Sequence, residues 1–383
     1  MGEKKTIAIV GASYLQLPLV KKAKAMGLRT ICFAWPEGAV CREEADAFYP
    51  ISIIEKERIL GICQKEGVDG IVSIASDVAV PTIAYVATRM KLVGNSEESA
   101  VKSTNKYLMR QALSKHGVSC PKFVAAKSEN DIAAICSILR FPLVVKPTDR
   151  SGSMGVSKVV DEIGLRRALT VAIADSFCGK AVVEECVENM HEVSVEGISW
   201  QGEYHLLQIT DKVTTGAPHY VELGHHQPAM LSDSVRDEIV KQTTLGIKAL
   251  DIKNGASHAE LMISGDGKVY VTEIGARMGG DFIGSDLVKL STGYDFLEGV
   301  INVALGNFSW SWRGGARNYA GVWFYTQRTL WAKDVIAGSA TDARIVSAEL
   351  QTERVGELTR SADRSGYFIY CSDKGRYEQP KGN

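Results

Sequence analysis

The chain has 383 residues, of which 45% are apolar and 23% charged, with a net charge of −1. This is the composition of a globular, soluble protein of two or three domains, and it gives no support for a nucleic-acid or membrane-surface partner. The eight cysteines (32, 41, 63, 120, 136, 178, 186 and 371) show no C-x-x-C and no metal-ligand spacing. They read as reduced, buried thiols of a cytoplasmic protein. No signal peptide is expected, because the apolar run Thr6–Ala12 is short and leads into a turn. The weakly charged stretch 70–88 contains Asp77 and Pro81, so it reads as a strand and a helix rather than a membrane span.

Residues 1–94 alternate short apolar runs with helical patterns. Strands are expected at Thr6–Val10, Arg29–Ala34, Val68–Ala75 and Lys91–Gly94, with helices at Leu15–Met26, Glu55–Glu66 and Val78–Met90. Such alternation implies a parallel sheet covered on both faces. The first turn, Gly11–Gln16, carries one glycine. It is either a plain βα turn or a site for a small anionic group, and a weak candidate for a dinucleotide.

Two short helices are expected within Ser96–Gly117. Strands follow at Phe141–Pro147, Lys180–Val187, Glu192–Trp200 and Tyr204–Lys212, with a helix at Asp161–Cys178. Val213–Met230, rich in Gly, Pro and His, reads as a loop, and Ser232–Leu250 as a long amphipathic helix. Helices are expected again at Phe282–Leu290 and Tyr294–Leu305, and then a β-rich segment at 310–383.

The most informative stretch is 258–277. Asp266-Gly267 between two alternating runs predicts a two-residue hairpin turn. Counting outward, Glu260 then faces Glu273 across the ladder, with Cβ atoms ~5 Å apart. Leu261, Ile263, Tyr270, Thr272 and Ile274 would point into the core. Two carboxylates so placed repel unless a cation lies between them. A hard divalent ion suits the position, with solvated glutamates near lysines as the alternative. Arg277, Gly279 and Gly280 follow directly.

Three further segments carry chemistry. Lys146 ends a buried strand and runs into Ser151-Gly152-Ser153-Met154-Gly155-Val156-Ser157. A lysine beside a Gly/Ser loop can hold phosphate oxygens while loop N–H groups close over them; an exposed loop with a snorkelling lysine is the alternative. Glu184 and Glu185 end an apolar strand that could read an adenine edge. Only one of the two acids can face a given ligand. Glu192 opens the next strand and could accept from ribose hydroxyls, unless these acids are simply solvated.

In this order the pieces resemble the ATP-grasp family over roughly 95–306, and the region before it looks like the Rossmann-like domain that precedes many such modules. The resemblance implies an α/β plus α+β fold. It divides into a Rossmann-like domain (1–94), two ATP-grasp subdomains (95–190 and 191–309) and a small β-rich cap (310–383). It implies that Lys106 and Lys146 contact ATP phosphates under the 151–157 loop. Glu184 and the backbone of Glu185 and Val187 would bind adenine, Glu192 would bind ribose, and Met262 would line the nucleotide site. Glu260 and Glu273 would hold Mg²⁺, or Mn²⁺ in its place, and Arg277 would steady the phosphoryl group. One departure is Gly275-Ala276 where the family often has Asn-Pro.

The segment from Ile209 through Asp211, Lys212, Glu222 and His225 is similar to that of the L-amino-acid-ligase and carbamoyl-phosphate-synthase-like branch. That likeness makes these four residues substrate candidates, while His226 reads as a surface histidine. The expected reaction is ATP-dependent joining of a small carboxylate to an amine through an acyl phosphate, with Gly279 and Gly280 stabilising the oxyanion. A purine-pathway enzyme of the same family and a non-catalytic nucleotide-binding regulator are the alternatives. The apolar first domain is compatible with a homodimer.

Overall fold

A computed structural model describes residues 4–379 except Ser153, Asn189, Pro218, Gly315 and Ala316. The N-terminal part is a parallel sheet of β1 (Thr6–Val10), β2 (Arg29–Phe33), β3 (Ala47–Tyr49) and β4 (Gly70–Val72), in the order β3-β2-β1-β4. β1 is buried throughout because both its faces are covered. Ile7 and Ile9 pack with Leu19 and Val20, whereas Ala8 and Val10 pack with Ile59 and Val86. The chain reverses direction through the sheet between β1 and β4, where open α/β sheets bind ligands beyond their carboxyl ends. Asp77 follows β4 there. The expected strand at Lys91–Gly94 is not formed. Lys91 takes a left-handed φ of 56° that caps the helix Val80–Met90, and the chain turns away.

Helices Glu97–Thr104 and Lys106–Lys115 lead to an antiparallel sheet of β5 (Phe123–Ala126), β6 (Leu143–Pro147), β7 (Ser157–Val159) and β8 (Ala181–Glu185), ordered β5-β8-β6-β7. Helices Ile132–Ile138 and Glu162–Asp175 pack on one face through Ile135, Leu165 and Leu169.

The third sheet is antiparallel and has eight strands: β9 (His191–Trp200), β10 (Glu203–Thr214), β11 (Glu222–Gln227), β12 (Gly255–Ile263), β13 (Val269–Gly275), β14 (Tyr319–Tyr325), β15 (Ile345–Leu350) and β16 (Gly366–Ser372). Their order is β13-β12-β9-β10-β11-β14-β16-β15. β11 lies inside the stretch expected to be a loop. It becomes a strand because β10 and β14 flank it and pair with it, so tertiary context overrides weak local propensity. The β-rich C-terminal segment is present, and its three strands lengthen this same sheet.

The helix Asp233–Ala249 lies under the β12–β13 hairpin, where Ile239 and Ile247 join Val193, Leu261, Val271 and Ile274 in one core. Each such buried side chain contributes about 1.5–3 kcal/mol, which keeps the hairpin a rigid floor. All eight cysteines are free, but only Cys32, Cys41 and Cys63 are buried, and Cys178 is exposed. Among the described residues no helix is long and apolar enough to cross a membrane.

Candidate active site

The floor of the cleft is the hairpin. Its loop is wider than the two residues expected. Ile263 pairs with Val269, the Gly267 N–H donates to the Ser264 carbonyl at 2.8 Å, and the Ser264 N–H donates to the Lys268 carbonyl at 2.9 Å. That offset alone would put Glu260 out of register with Glu273. A bulge at Thr272 restores it: Leu261 pairs with Val271, yet Glu260 pairs with Glu273. The Thr272 hydroxyl fastens the bulge by donating to the Glu260 carbonyl at 3.0 Å. The bulge also corrects the expected faces. Val269 and Val271 enter the core in place of Tyr270 and Thr272, and Thr272 joins Glu260, Met262 and Glu273 on the cleft side.

Basic side chains offset the two floor carboxylates. Lys106 Nζ lies 2.7 Å from both oxygens of Glu273. Lys212 Nζ reaches Glu260 Oε1 at 2.8 Å and Glu192 at 2.5 Å, with Glu222 at 3.9 Å. Burial alone would lower the Lys212 pKa, but Glu260, Glu192 and Glu222 raise it well above the ordinary lysine value. Burial would raise the Glu260 pKa, yet Lys212 and His258 hold it well below the usual carboxylate range. Lys212 is thus the cationic centre of an acid cluster. Glu192 and Glu222 both line the cleft, with their carboxylates turned to Lys212.

Behind Glu260 stands a pair that sequence reasoning missed. His258 Nδ1 lies 2.5 Å from Oε1 of the buried Glu196, and its Nε2 lies 3.5 Å from Glu260 Oε1. Burial would lower the His258 pKa, but Glu196 and Glu260 raise it to about 9. Alternation was the available signal, since His258 and Glu196 share the face that carries Glu260.

The roof comes from β6, β8 and the loop after β6. Lys146 Nζ bonds Glu184 at 2.8 Å, and Arg110 Nε lies 2.6 Å from the other Glu184 oxygen. Burial would raise the Glu184 pKa, but Arg110 and Lys146 bring it down to about 2. Both Glu184 oxygens therefore face basic groups, and the residue lines the cleft beside Lys146. Glu185 points the other way and accepts from the Arg140 N–H at 3.1 Å. Backbone at Glu185 and Val187 still borders the cleft, as do Ser151, Gly152, Met154 and Val156. Gly155 does not line it; a Cβ there would meet Pro147 and Asp175 at 2.8 Å. Ser153 lies outside the described residues. Arg110, Arg150, Lys158 and Met190 were not foreseen; of these, Arg150, Lys158 and Met190 line the cleft.

Arg277 enters from the segment after β13 and forms a two-pronged pair with Asp77, at 2.9 and 3.0 Å. This explains the glycine at 275: a Cβ there would lie 2.8 Å from Asp77 Oδ1 and displace the pair. Asp77 was seen in the sequence only as a charge within an apolar run. Its position past the end of β4 was the overlooked signal.

The two glycines expected as oxyanion donors stand differently. The buried Gly279 N–H donates to Glu196 Oε2 at 3.1 Å, and Gly280 packs against Ala75. Neither lines the cleft. Among the substrate candidates, Lys212 and Glu222 line the cleft, but Asp211 and His225 do not. Asp211 faces away from Lys212, to Arg376, His191 and the Met230 N–H. His225 is buried beside Phe324, 3.5 Å from Asp281. His226 is buried rather than on the surface. It meets the Tyr370 hydroxyl at 3.0 Å, and burial, together with Arg376 and His225, lowers its pKa to about 3.

The donor set fits a hard divalent ion. Two carboxylates stand side by side on the cleft face. Among the described residues no group of three or more His, Cys, Asp or Glu side chains is arranged to hold a metal. Mg²⁺ commonly takes one or two carboxylates and completes its shell with water and phosphate.

Residues 139–286 match the model of a family described as an ATP-grasp domain. It is 24% identical over 245 residues to the alanine–anticapsin ligase of Bacillus subtilis strain 168, a match covering 58% of this chain and 51% of that protein. Its fold is similar to that of the L-amino acid ligase from Bacillus licheniformis, with a TM-score of 0.79 and 23% identity over 97% of this chain and 94% of that one. It is also similar to the phosphoribosylglycinamide synthetase from Anaerococcus prevotii, with a TM-score of 0.78 and 21% identity over 97% and 95% of the two chains. The fold is thus shared with these two proteins over nearly the whole chain, while the chain spans about half the length of the first relatives matched by sequence.

Proposed function

We propose that this chain is an ATP-dependent carboxylate–amine ligase acting on small, amino-acid-like molecules in the cytoplasm, with the domain boundaries given above. The observation that carries the reading is the opposition of Glu260 and Glu273 beneath Lys146 and Lys106, with Arg277 at the same cleft. Glu260 and Glu273 would hold Mg²⁺, or Mn²⁺, which when bound supplies charge neutralisation to the phosphates. Lys106 and Lys146 face the cleft as point charges for phosphate oxygens. The backbone of Glu185–Val187 borders the same space and suits the edge of an adenine ring.

In the reaction a carboxylate oxygen attacks the γ-phosphorus of ATP and the bond to ADP breaks, giving an acyl phosphate. The amine nitrogen then attacks the carbonyl carbon, inorganic phosphate leaves with the bonding electrons, and the nitrogen loses a proton. Arg277, fixed by Asp77, is placed to steady the negative charge that develops. Ser151, Gly152, Met154 and Val156 border the cleft, and the loop that carries them would exclude water from the acyl phosphate.

The first turn favours the amino-acid reading over a sugar-phosphate substrate. The Ser13 N–H and hydroxyl both donate to Gln16 Oε1, at 3.1 and 2.8 Å, so those donors are satisfied from within. Phosphate release from Mg·ATP, with and without a panel of amino acids, tests the proposal. Release that requires an amino-acid pair supports it. Tight ATP binding without release under any condition would leave the regulatory reading.

A further inference from the structure

The network behind Glu260 has no direct part in the reaction as written. Glu196 is wholly buried, and its two oxygens serve two partners: Oε2 accepts the Gly279 N–H at 3.1 Å and Oε1 faces His258 Nδ1 at 2.5 Å. An ionised carboxylate only accepts, so Nδ1 carries a hydrogen. Gly279 leaves no room for a side chain, since a Cβ there would lie 2.8 Å from Nδ1 and 3.0 Å from both Glu196 oxygens. On its other side, His258 presents Nε2 to Glu260 Oε1 at 3.5 Å, the same oxygen that Lys212 reaches at 2.8 Å. Among the described residues the side-chain contacts to the Glu260 carboxylate fall on Oε1. Glu260 lines the cleft, and Oε2 is its oxygen without such a contact. A buried ion pair is weak evidence of stabilisation by itself, so the selection of this one calls for another role.

We propose that His258 is a positioning residue: braced by Glu196, it works with Lys212 to pin Glu260 Oε1, so that Oε2 is the oxygen presented to the metal ion. This rests on the reading of Glu260 as a metal ligand. Partners of this kind orient a ligating side chain, and their loss commonly costs ~10–100-fold in metal affinity.

The two ring nitrogens can be tested separately. Asparagine places its amide nitrogen near Nδ1, and glutamine near Nε2. His258→Asn therefore keeps the Glu196 contact and loses the one to Glu260, whereas His258→Gln does the reverse. Mn²⁺ binding is followed by electron paramagnetic resonance in the presence of a non-hydrolysable ATP analogue, so no turnover is required. The expected result is a ~10-fold or greater loss of Mn²⁺ affinity in His258→Asn, with His258→Gln much closer to wild type. Equal affinity in all three proteins, or the opposite order, overturns the proposal and makes the histidine a support for Glu196 alone. Absence of Mn²⁺ binding by the wild-type chain overturns the metal reading of Glu260 and the proposal with it. A second measurement needs no variant: the imidazole ¹⁵N resonances of wild-type His258 should shift when Mg²⁺ is added with the analogue. Unchanged resonances, where Mn²⁺ binds under the same conditions, would also overturn it.

Discussion

Asp77 grips Arg277 with both carboxylate oxygens, at 2.9 and 3.0 Å, across 200 residues of sequence. The pair fastens the carboxyl end of the N-terminal sheet to the segment that leaves the hairpin. The N-terminal domain therefore has a direct role in aiming the cation beside the two floor carboxylates. Asp77→Asn should lower kcat/KM by ~30-fold, the equivalent of about 2 kcal/mol for a buried charge left without its partner. Gly275→Ala should act in the same direction by pushing Asp77 aside. Unchanged kcat/KM in both variants would mean that the pair does not aim Arg277.

Glu273→Gln keeps size and shape but removes one of the two floor charges. Turnover should fall by ~100-fold or more and Mg·ATP should bind more weakly. The melting temperature should stay within a few degrees of wild type, because the core beneath the hairpin is untouched. Near-normal turnover would refute the metal assignment of this residue.

Lys212→Met leaves Glu192, Glu222 and Glu260 without their shared cation. Removing one partner of a buried ionic group costs about 3–5 kcal/mol, so the variant should melt several degrees lower at pH 7.5. The deficit should shrink at pH 5, because Glu260, no longer held down by Lys212, takes up a proton more readily. Melting curves at the two pH values check this, and a deficit independent of pH would exclude charge repulsion as its cause.

His226 predicts acid sensitivity of a different kind. Its folded-state pKa lies near 3 and its ordinary value is 6.5. Between those values the unfolded chain binds a proton that the folded chain does not. The stability contribution is therefore complete above about pH 6.5 and is lost as pH falls toward 3, at up to about 1.4 kcal/mol per pH unit. His226→Gln should flatten that part of the curve, as read by denaturant midpoints across the window. An unchanged slope would locate the acid sensitivity elsewhere.

The floor was legible in the sequence because its logic is local. Alternation and a Gly-containing bend place Glu260 opposite Glu273, and the prediction survived an error in the turn only because the Thr272 bulge cancels it. A bulge depends on what packs around the ladder, so no local pattern announces it. Lys146 was found from its position at a strand end, and Lys106 only through the resemblance to the family. What was missed is non-local: Arg110 meets Glu184, Arg277 meets Asp77, and Glu196 meets His258 through contacts between distant segments. β11 was missed for the same reason, since its histidines and glycine become a strand only between two neighbours. Asp211 and His226 pair across β10 and β11, on the face turned away from Lys212. Adjacent residues on a strand face opposite sides, so Asp211 turns to Arg376 while Lys212 lines the cleft; His225 is kept out of the cleft by its own contacts to Phe324 and Asp281.

The buried Arg110 has a mechanical consequence. Its Nε lies beside Glu184 on the β8 sheet, while its Nη2 donates to the Thr272 carbonyl on the hairpin at 2.5 Å. Pulling the two sheets apart at that point would separate the buried guanidinium from one of these partners. The two sheets are therefore tied to each other at Arg110, so any widening of the cleft between them either keeps that tie or breaks it.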